Sequence, residues 1–356
     1  MSTIAGIIAR NTAAAAGGRC AGRRAAVVGG TSGIGHGCAV ALARAGFAVT
    51  VVGRREARGA EVVRELAAVS ASTPALASAA TAAGGVAPPL PSPPPTPPAA
   101  RPRHVFVRLD ASLLRECYVA APRILGGAPA LDALVLTQGI ATLQGFTPTA
   151  REGLDEKLAL HVFSRAALID ALLPALLAAP SPRVLSVLSA GVHAADAAAY
   201  APVLAAGGEA LLLARTGDYS LKRAADLAGL YNDVLADELA RRHPGAGFVH
   251  AAPGMVATNW GTELPLPLRL VVRALQALPF FARSFRDAGE AMCAPLIAAQ
   301  LPGDALAGVA GAGLPGALLM GADAQPVKRT GAHEAARAPL WGAASEVLAR
   351  LRTGSA

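Results

Sequence analysis

Residues 27–37, Val-Val-Gly-Gly-Thr-Ser-Gly-Ile-Gly-His-Gly, limit the folds open to this chain more than any other stretch. The apolar run Ala25–Val28 reads as a short buried strand. Cys38–Ala45, after the glycines, is apolar and alanine-rich, as a helix would be. Strand, glycine turn and helix together make an anion-binding device. Glycine lets the backbone approach a phosphate, and a helix N-terminus presents unpaired N–H groups and a positive dipole end. Gly29, Gly33 and Gly35 are spaced differently from the plain Gly-x-Gly-x-x-Gly fingerprint. A glycine turn without ligand is the plainer alternative, and the rest of the chain has to decide.

Taken in order, strands and helices alternate. Gly46 closes the first helix, and Phe47–Val52 is a second β-branched, apolar strand. It runs into Gly53-Arg54-Arg55. In a doubly wound sheet the end of this strand lies beside the adenosine ribose. An acid there would bond the ribose hydroxyls of NAD. Here two arginines stand before Glu56, the first acidic residue of the chain, and they suit the 2′-phosphate of NADP(H). A pair of solvated loop arginines is the alternative. Glu56–Val69 is helical in pattern. Residues 70–102 then change character: nine of the fifteen residues Pro88–Pro102 are proline, which predicts an unpacked Ala/Pro-rich insertion or a proline-dependent docking segment.

Further strands are expected at His104–Leu109, Leu131–Leu136, Arg183–Leu188, Gly247–Ala251 and 316–321, with long helices at Glu152–Ala179 and Asp218–Arg242. That alternation predicts an α/β fold: a doubly wound, Rossmann-like parallel sheet with helices on both faces. One domain would span 25–325. An irregular arm would precede it at 1–24, and a helical tail would follow at 326–356. Residues 263–300 carry Leu266, Leu268, Leu270, Val271, Leu275 and Leu278, an apolar face suited to a substrate lid, a dimer face or a membrane-surface helix.

The glycine turn resembles the Thr-Gly-x3-Gly-Ile-Gly turn of the short-chain dehydrogenase/reductase family, with Val28 where that family usually has Thr. Pro253-Gly254-Met255-Val256-Ala257-Thr258 is similar to its Pro-Gly-x-Val-x-Thr turn, and Asp110-Ala111-Ser112 matches at the end of the third strand. The resemblance implies that Gly29, Thr31, Ser32, Gly33, Ile34 and Gly35 hold the cofactor. It puts Asp110 near the adenine and Gly139 in the turn bracing the central sheet. Pro253, Gly254, Val256 and Thr258 would lie near the nicotinamide. It also implies catalysis by Tyr219 as acid/base and Ser189 as the group that positions the substrate oxygen. The family's Tyr-x-x-x-Lys places Arg223 at the fourth position after Tyr219, with Lys222 at the third. Both i+3 and i+4 share a helix face with Tyr219, so either could stabilise a tyrosinate. His161 falls where the family has a catalytic Asn, and is either a proton shuttle or an ordinary helix histidine.

A tyrosine serves as proton donor when a nearby cation lowers its pKa from about 10. With Ser189 and Tyr219 both retained, the expected function is NADP(H)-dependent interconversion of a carbonyl and an apolar alcohol. A catalytically weak NADPH-binding regulatory protein is the alternative. The resemblance also offers a homodimer pairing through the two long helices, 152–179 and 218–242, with a monomer as the alternative.

Composition narrows the partners. The net charge of +8 rests on 32 basic residues, of which only Lys157, Lys222 and Lys328 are lysine. No basic cluster interleaves with aromatics, so nucleic acid is not expected. Cys20, Cys38, Cys117 and Cys293 lack metal-ligand spacing, so no metal is expected, and scattered thiols suit a reducing compartment such as the cytoplasm. The acid-free N-terminus leaves an organelle transit peptide as the alternative. No transmembrane helix is expected.

Overall fold

The computed structural model describes residues 3–72, 103–193, 196, 198, 219–258, 265–276, 278, 282–297 and 317–353. The predicted insertion at 70–102 lies outside them apart from its first three residues, which continue a helix. Most of 194–218 and parts of 259–300 lie outside as well.

Seven strands form one parallel sheet. They are β1 (Arg24–Val28), β2 (Ala48–Gly53), β3 (Val105–Arg108), β4 (Ala133–Leu136), β5 (Arg183–Val187), β6 (Gly247–Ala251) and, after a short pair β7 (Val256–Ala257) and β8 (Arg283–Ser284), β9 (Leu318–Met320). The order is β3-β2-β1-β4-β5-β6-β9. Within β1 the side chains alternate: Ala25 and Val27 face one core, Ala26 and Val28 the other. That is why these strands read as continuous apolar runs rather than alternating ones. Val28 pairs with Val52 on one side and Leu136 on the other. The chain therefore reverses its direction of travel across the sheet between β1 and β4, which opens a ligand crevice at their C-terminal ends.

Helices cover both faces. On one lie α1 (Ile4–Ala16), α2 (Gly33–Ala45), α3 (Glu56–Ser72) and, late in the chain, a helix at Phe285–Ile297. The segment expected as an irregular arm at 1–24 is thus largely α1. Thr3 caps it by accepting from Gly6 N–H, and Ile7 and Ala14 are buried. Its lack of acidic residues and its alanine-rich sequence hid a helix held by tertiary packing: Asn11 Nδ2 donates to Glu290 Oε2 at 2.7 Å across the interface.

The other face carries α4 (Leu114–Leu125), α5 (Glu156–Leu158), α6 (Ser164–Leu177) and α7 (Leu221–Arg242). A π turn at Ala159–Phe163 joins α5 to α6. Glu156–Leu177 is long and apolar enough to cross a membrane by composition, and most of it is buried in this core. Next come α8 (Leu266–Gln276), α9 (Phe285–Ile297) and α10 (Ala332–Thr353). The last lies over α6 and α7, with the Arg242 guanidinium 4.3 Å from the Trp341 ring centroid and Arg352 paired with Asp170. It covers the helices that the homodimer expectation assigns to pairing. In α8 Arg269, Val272 and Gln276 are half-buried, while Leu266, Leu268, Leu270, Val271 and Leu275 are exposed.

Two glycines set how α2 and α9 meet. A Cβ on Gly37 would stand 2.0 Å from the Phe285 carbonyl oxygen, and one on Gly289 would stand 2.2 Å from the Gly37 carbonyl carbon. The backbones touch where side chains would normally separate them.

Candidate active site

The cofactor turn sits at the switch point. Gly29 has φ 79°, and a Cβ there would lie 2.7 Å from Thr137 Oγ1. Gly33 has φ 53° and opens α2. Ser32, the residue before it, makes no side-chain bond to the helix, and no acid lies in the first turn. A phosphate is the natural complement of such a helix start. The residues present therefore fit a dinucleotide. Arg54 and Arg55 are exposed just past β2. A third arginine, which sequence reading missed, joins them: Arg58 Nε donates to Thr31 O at 3.2 Å. Asp110 Oδ1 accepts from Ser112 N–H and Oγ–H and so starts the turn into α4. Gly139 packs on the His161 ring, with 3.0 Å between a built Cβ and Nε2. The Pro253–Thr258 turn comes close to the glycines: Gly33 faces Thr258, and Gly254 has φ 70°. Val256 O accepts from Gln276 Nε2 at 3.5 Å, which ties this turn to α8.

The cation beside Tyr219 is neither of those expected. Lys222 points to solvent, its side chain 81% exposed and its ammonium on Asp226 at 2.5 Å. Arg223 N–H donates to the Ser220 hydroxyl, which caps α7. Instead Lys157, from α5, reaches over the Tyr219 ring with Nζ 5.4 Å from the centroid, and Phe146 packs edge-on at 6.0 Å. Lys157 is held by Gly145 O at 2.9 Å and by the fully buried Asp155 at 3.2 Å. Burial alone would lower its pKa, but Tyr219 and Asp155 outweigh that and raise it. Burial raises the Tyr219 pKa; Lys157 opposes the rise and Asp155 reinforces it. Tyr219 Oη is buried and, among the described residues, makes no hydrogen bond of normal geometry, although Lys157 and Asp155 are near enough to act on it.

Lys157, His161 and Arg165 follow one another at four-residue intervals through the π turn, a feature often found at functional sites. His161 and Arg165 lie at the C-terminal ends of β4 and β5. His161 Nε2 accepts from Ile140 N–H at 2.9 Å, so the ring carries its proton on Nδ1. Burial, with help from Arg165 and Lys157, pushes its pKa down to about 3. A proton shuttle through Nε2 would have to break the Ile140 bond. Arg165 is buried and donates to Ser186 Oγ, Val187 O and Gln138 O. Burial lowers its pKa to about 9. It pins two strand ends, a role no local sequence signal announces.

Ser189 lies just past β5. Its Oγ faces Gly229, where a Cβ would stand at 2.8 Å, and its N–H donates to His250 Nε2 at 3.3 Å. Gly229 is eight residues into α7, about 12 Å along the helix axis. The Ser189 and Tyr219 hydroxyls are not hydrogen-bonded to each other.

The neutral His161 carries a stability prediction. Its folded pKa of about 3 lies below the ordinary value near 6.5. Between those limits the unfolded chain binds a proton that the folded chain does not. Stability therefore falls as pH drops below about 6.5, by up to about 1.4 kcal/mol per pH unit for one site. His161→Gln keeps an acceptor for Ile140 N–H and removes this dependence. Denaturant unfolding at pH 7, 6 and 5 should show a slope smaller by about one proton in the variant. Equal slopes would mean that His161 titrates normally.

A nucleotide crevice at a parallel-sheet switch point defines a Rossmann-like dinucleotide-binding protein. The model of the short chain dehydrogenase family matches residues 23–83. A curated oxidoreductase of Emericella nidulans is 29% identical over 272 residues, covering 74% of this chain and 67% of that protein. A solved short-chain type dehydrogenase/reductase from Mycobacterium ulcerans superposes with a TM-score of 0.54 at 16% identity, covering 85% of this chain and 90% of that one. The alcohol dehydrogenase of Thermococcus sibiricus, solved with 5-hydroxy-NADP, gives 0.52 at 17% identity over 86% and 99%. These two likenesses show the fold. The family match covers residues 23–83, and the solved short-chain dehydrogenases/reductases share the fold over most of the chain at low identity.

Proposed function

We propose that this protein is an NADP(H)-dependent oxidoreductase that interconverts a carbonyl and an alcohol. Tyr219 would be its proton donor, Lys157 the cation that stabilises the tyrosinate, and Ser189 the group that positions the substrate oxygen. The observation that carries this reading is the buried Tyr219 Oη, which makes no hydrogen bond of normal geometry among the described residues while the Lys157 ammonium lies over its ring. An unsatisfied buried hydroxyl costs about 1–3 kcal/mol. A substrate oxygen accepting from it removes that cost and receives the proton. Burial keeps the phenol protonated through neutral pH, which suits reduction better than oxidation. Gly29, Thr31, Ser32, Gly33, Ile34 and Gly35 would hold the phosphates, Arg54 and Arg55 the 2′-phosphate, and Asp110 and Gly139 the sheet edge near the adenine and the ring. Pro253, Gly254, Val256 and Thr258 would lie near the nicotinamide, which supplies the hydride when bound. The NADP analogue held by the Thermococcus sibiricus alcohol dehydrogenase supports that cofactor class. The exposed leucines of α8, tied to Val256 through Gln276, support an apolar substrate.

Calorimetric titration tests the cofactor. Charge-assisted bonds are worth about 1.5–3 kcal/mol each. Arg54→Ser with Arg55→Ser removes two of them and should therefore weaken NADPH binding about 10²- to 10⁴-fold and leave NADH binding unchanged. Tighter NADH than NADPH binding in the wild type would overturn the arginine reading alone. No binding of either would overturn the enzyme reading.

A further inference from the structure

Behind Ser189, three imidazoles converge on one carboxylate. Asp233, on α7, is fully buried. Its Oδ1 takes a bond from His250 Nδ1, on β6. Its Oδ2 lies 3.0 Å from His193 Nε2, 2.9 Å from His333 Nε2 and 3.1 Å from Gly191 N. His193 follows β5, and His333 opens α10. The two histidine side chains are 0% and 7% exposed.

One carboxylate oxygen with two lone pairs faces three nitrogens here. The backbone N–H of Gly191 is a fixed donor. The two imidazoles are not, because either ring nitrogen can carry the proton. For His333 both tautomers find a partner: Nδ1 lies 2.9 Å from Thr330 N and 3.0 Å from Thr330 O. With its proton on Nδ1, donated to Thr330 O, His333 turns a lone pair at Nε2 toward Asp233. That is the outer-shell arrangement of metal-ligating histidines, whose second nitrogen donates to a backbone carbonyl. His250 meanwhile holds the other carboxylate oxygen and orients it. The ligand atoms of His193, Asp233 and His333 all lie within 4.8 Å of one another.

We propose that His193, Asp233 and His333 form a binding site for a zinc-type divalent cation. Two imidazole nitrogens and one carboxylate oxygen select first-row metals of this kind over Mg²⁺ or Ca²⁺, which take oxygen ligands. Zinc bonds of about 2.0–2.2 Å place tetrahedral ligands roughly 3.3 Å apart. The observed 2.9–3.0 Å separations from Oδ2 need to open by only a few tenths of an ångström. Three protein ligands leave a fourth position for water. The ion would tie the end of β5, α7 and the start of α10 into one unit, a structural role independent of hydride chemistry. The cysteine spacing that sequence reading relied on could not reveal such a site, because its ligands are histidines and an aspartate at 193, 233 and 333.

The test uses the untagged full chain. After expression with zinc supplied and exhaustive dialysis, elemental analysis should find about one zinc per chain. The stripped chain titrated with Co²⁺ should develop the visible absorption of a four-coordinate site, saturating at the same stoichiometry. His333→Gln should lose both signals while Asp233 keeps its bonds from Gly191 and His250. EDTA should lower the Tm of the wild type and leave that of His333→Gln unchanged. The wild-type measurements stand even if the variant misfolds. Wild-type protein that retains no zinc and gives no Co²⁺ spectrum would overturn the proposal and leave a cluster held by protons alone.

Discussion

Tyr219→Phe is expected to lower NADPH-dependent turnover by about 10²–10⁴-fold, the usual worth of a positioned acid, with no change in NADPH affinity. The ring and its contact with Phe146 survive, and only the buried hydroxyl is lost. Lys157→Met is the companion. It removes the cation that opposes the burial-driven rise of the Tyr219 pKa. Reduction needs the protonated phenol, so rates fall where Tyr219 ionises. Without Lys157 that ionisation moves to higher pH, and the alkaline limb of the rate profile should shift upward. Asp155 retains the N–H groups of Lys157 and Leu158, so α5 keeps its cap in the variant. Steady-state kinetics across pH, with NADPH binding measured alongside, read both effects. Turnover that survives Tyr219→Phe would remove Tyr219 from the chemistry. A limb unmoved in Lys157→Met would remove Lys157 as its electrostatic partner.

Gly289→Ala should be among the most destabilising single-methyl changes in the molecule. The new Cβ would meet the Gly37 carbonyl carbon at 2.2 Å and its oxygen at 2.4 Å, and neither is a side chain that can swing aside. Overpacking of cores typically costs about 1–3 kcal/mol, and a backbone collision belongs at or beyond the top of that range. The helices must move apart, and α2 carries the glycine turn at its N-terminus. Cofactor affinity should therefore fall together with Tm. Gly342→Ala is the control. It lies inside α10 with nothing within 4 Å of the new methyl, so the change should be neutral or stabilise by up to about 1 kcal/mol through helix propensity. Thermal unfolding of both variants checks the pair. Equal behaviour would mean that the α2–α9 contact is looser than its geometry.

The strand–turn–helix at 25–45 and the parallel strands were legible because both rest on local pattern: apolar runs, glycines and helix ends. What was not legible depends on distance or register. The π turn at Ala159–Phe163 has no residue signature, yet it sets how Lys157 and His161 meet the sheet. Lys157 was hidden inside a long helical pattern, whereas Lys222 drew notice through its spacing from Tyr219. Spacing along a helix fixes a face but does not say which face turns inward. α1 did leave a trace, with Thr3 ahead of Ile4, Ile7 and Ile8. Without acidic residues on the opposite side that trace read as irregular chain. His193, Asp233, His250 and His333 meet only because the segment after β5, the middle of α7, β6 and the start of α10 come together in one place.

The helix at the end of the chain bears on how the molecule answers dilution. Surfaces of α6 and α7 that a second subunit could have covered are covered by residues tethered to them. Association between separate chains follows mass action and loosens as concentration falls. A cover on the same chain has an effective concentration set by the connection alone. The packing of α10 is therefore as complete in one isolated molecule as in a concentrated solution.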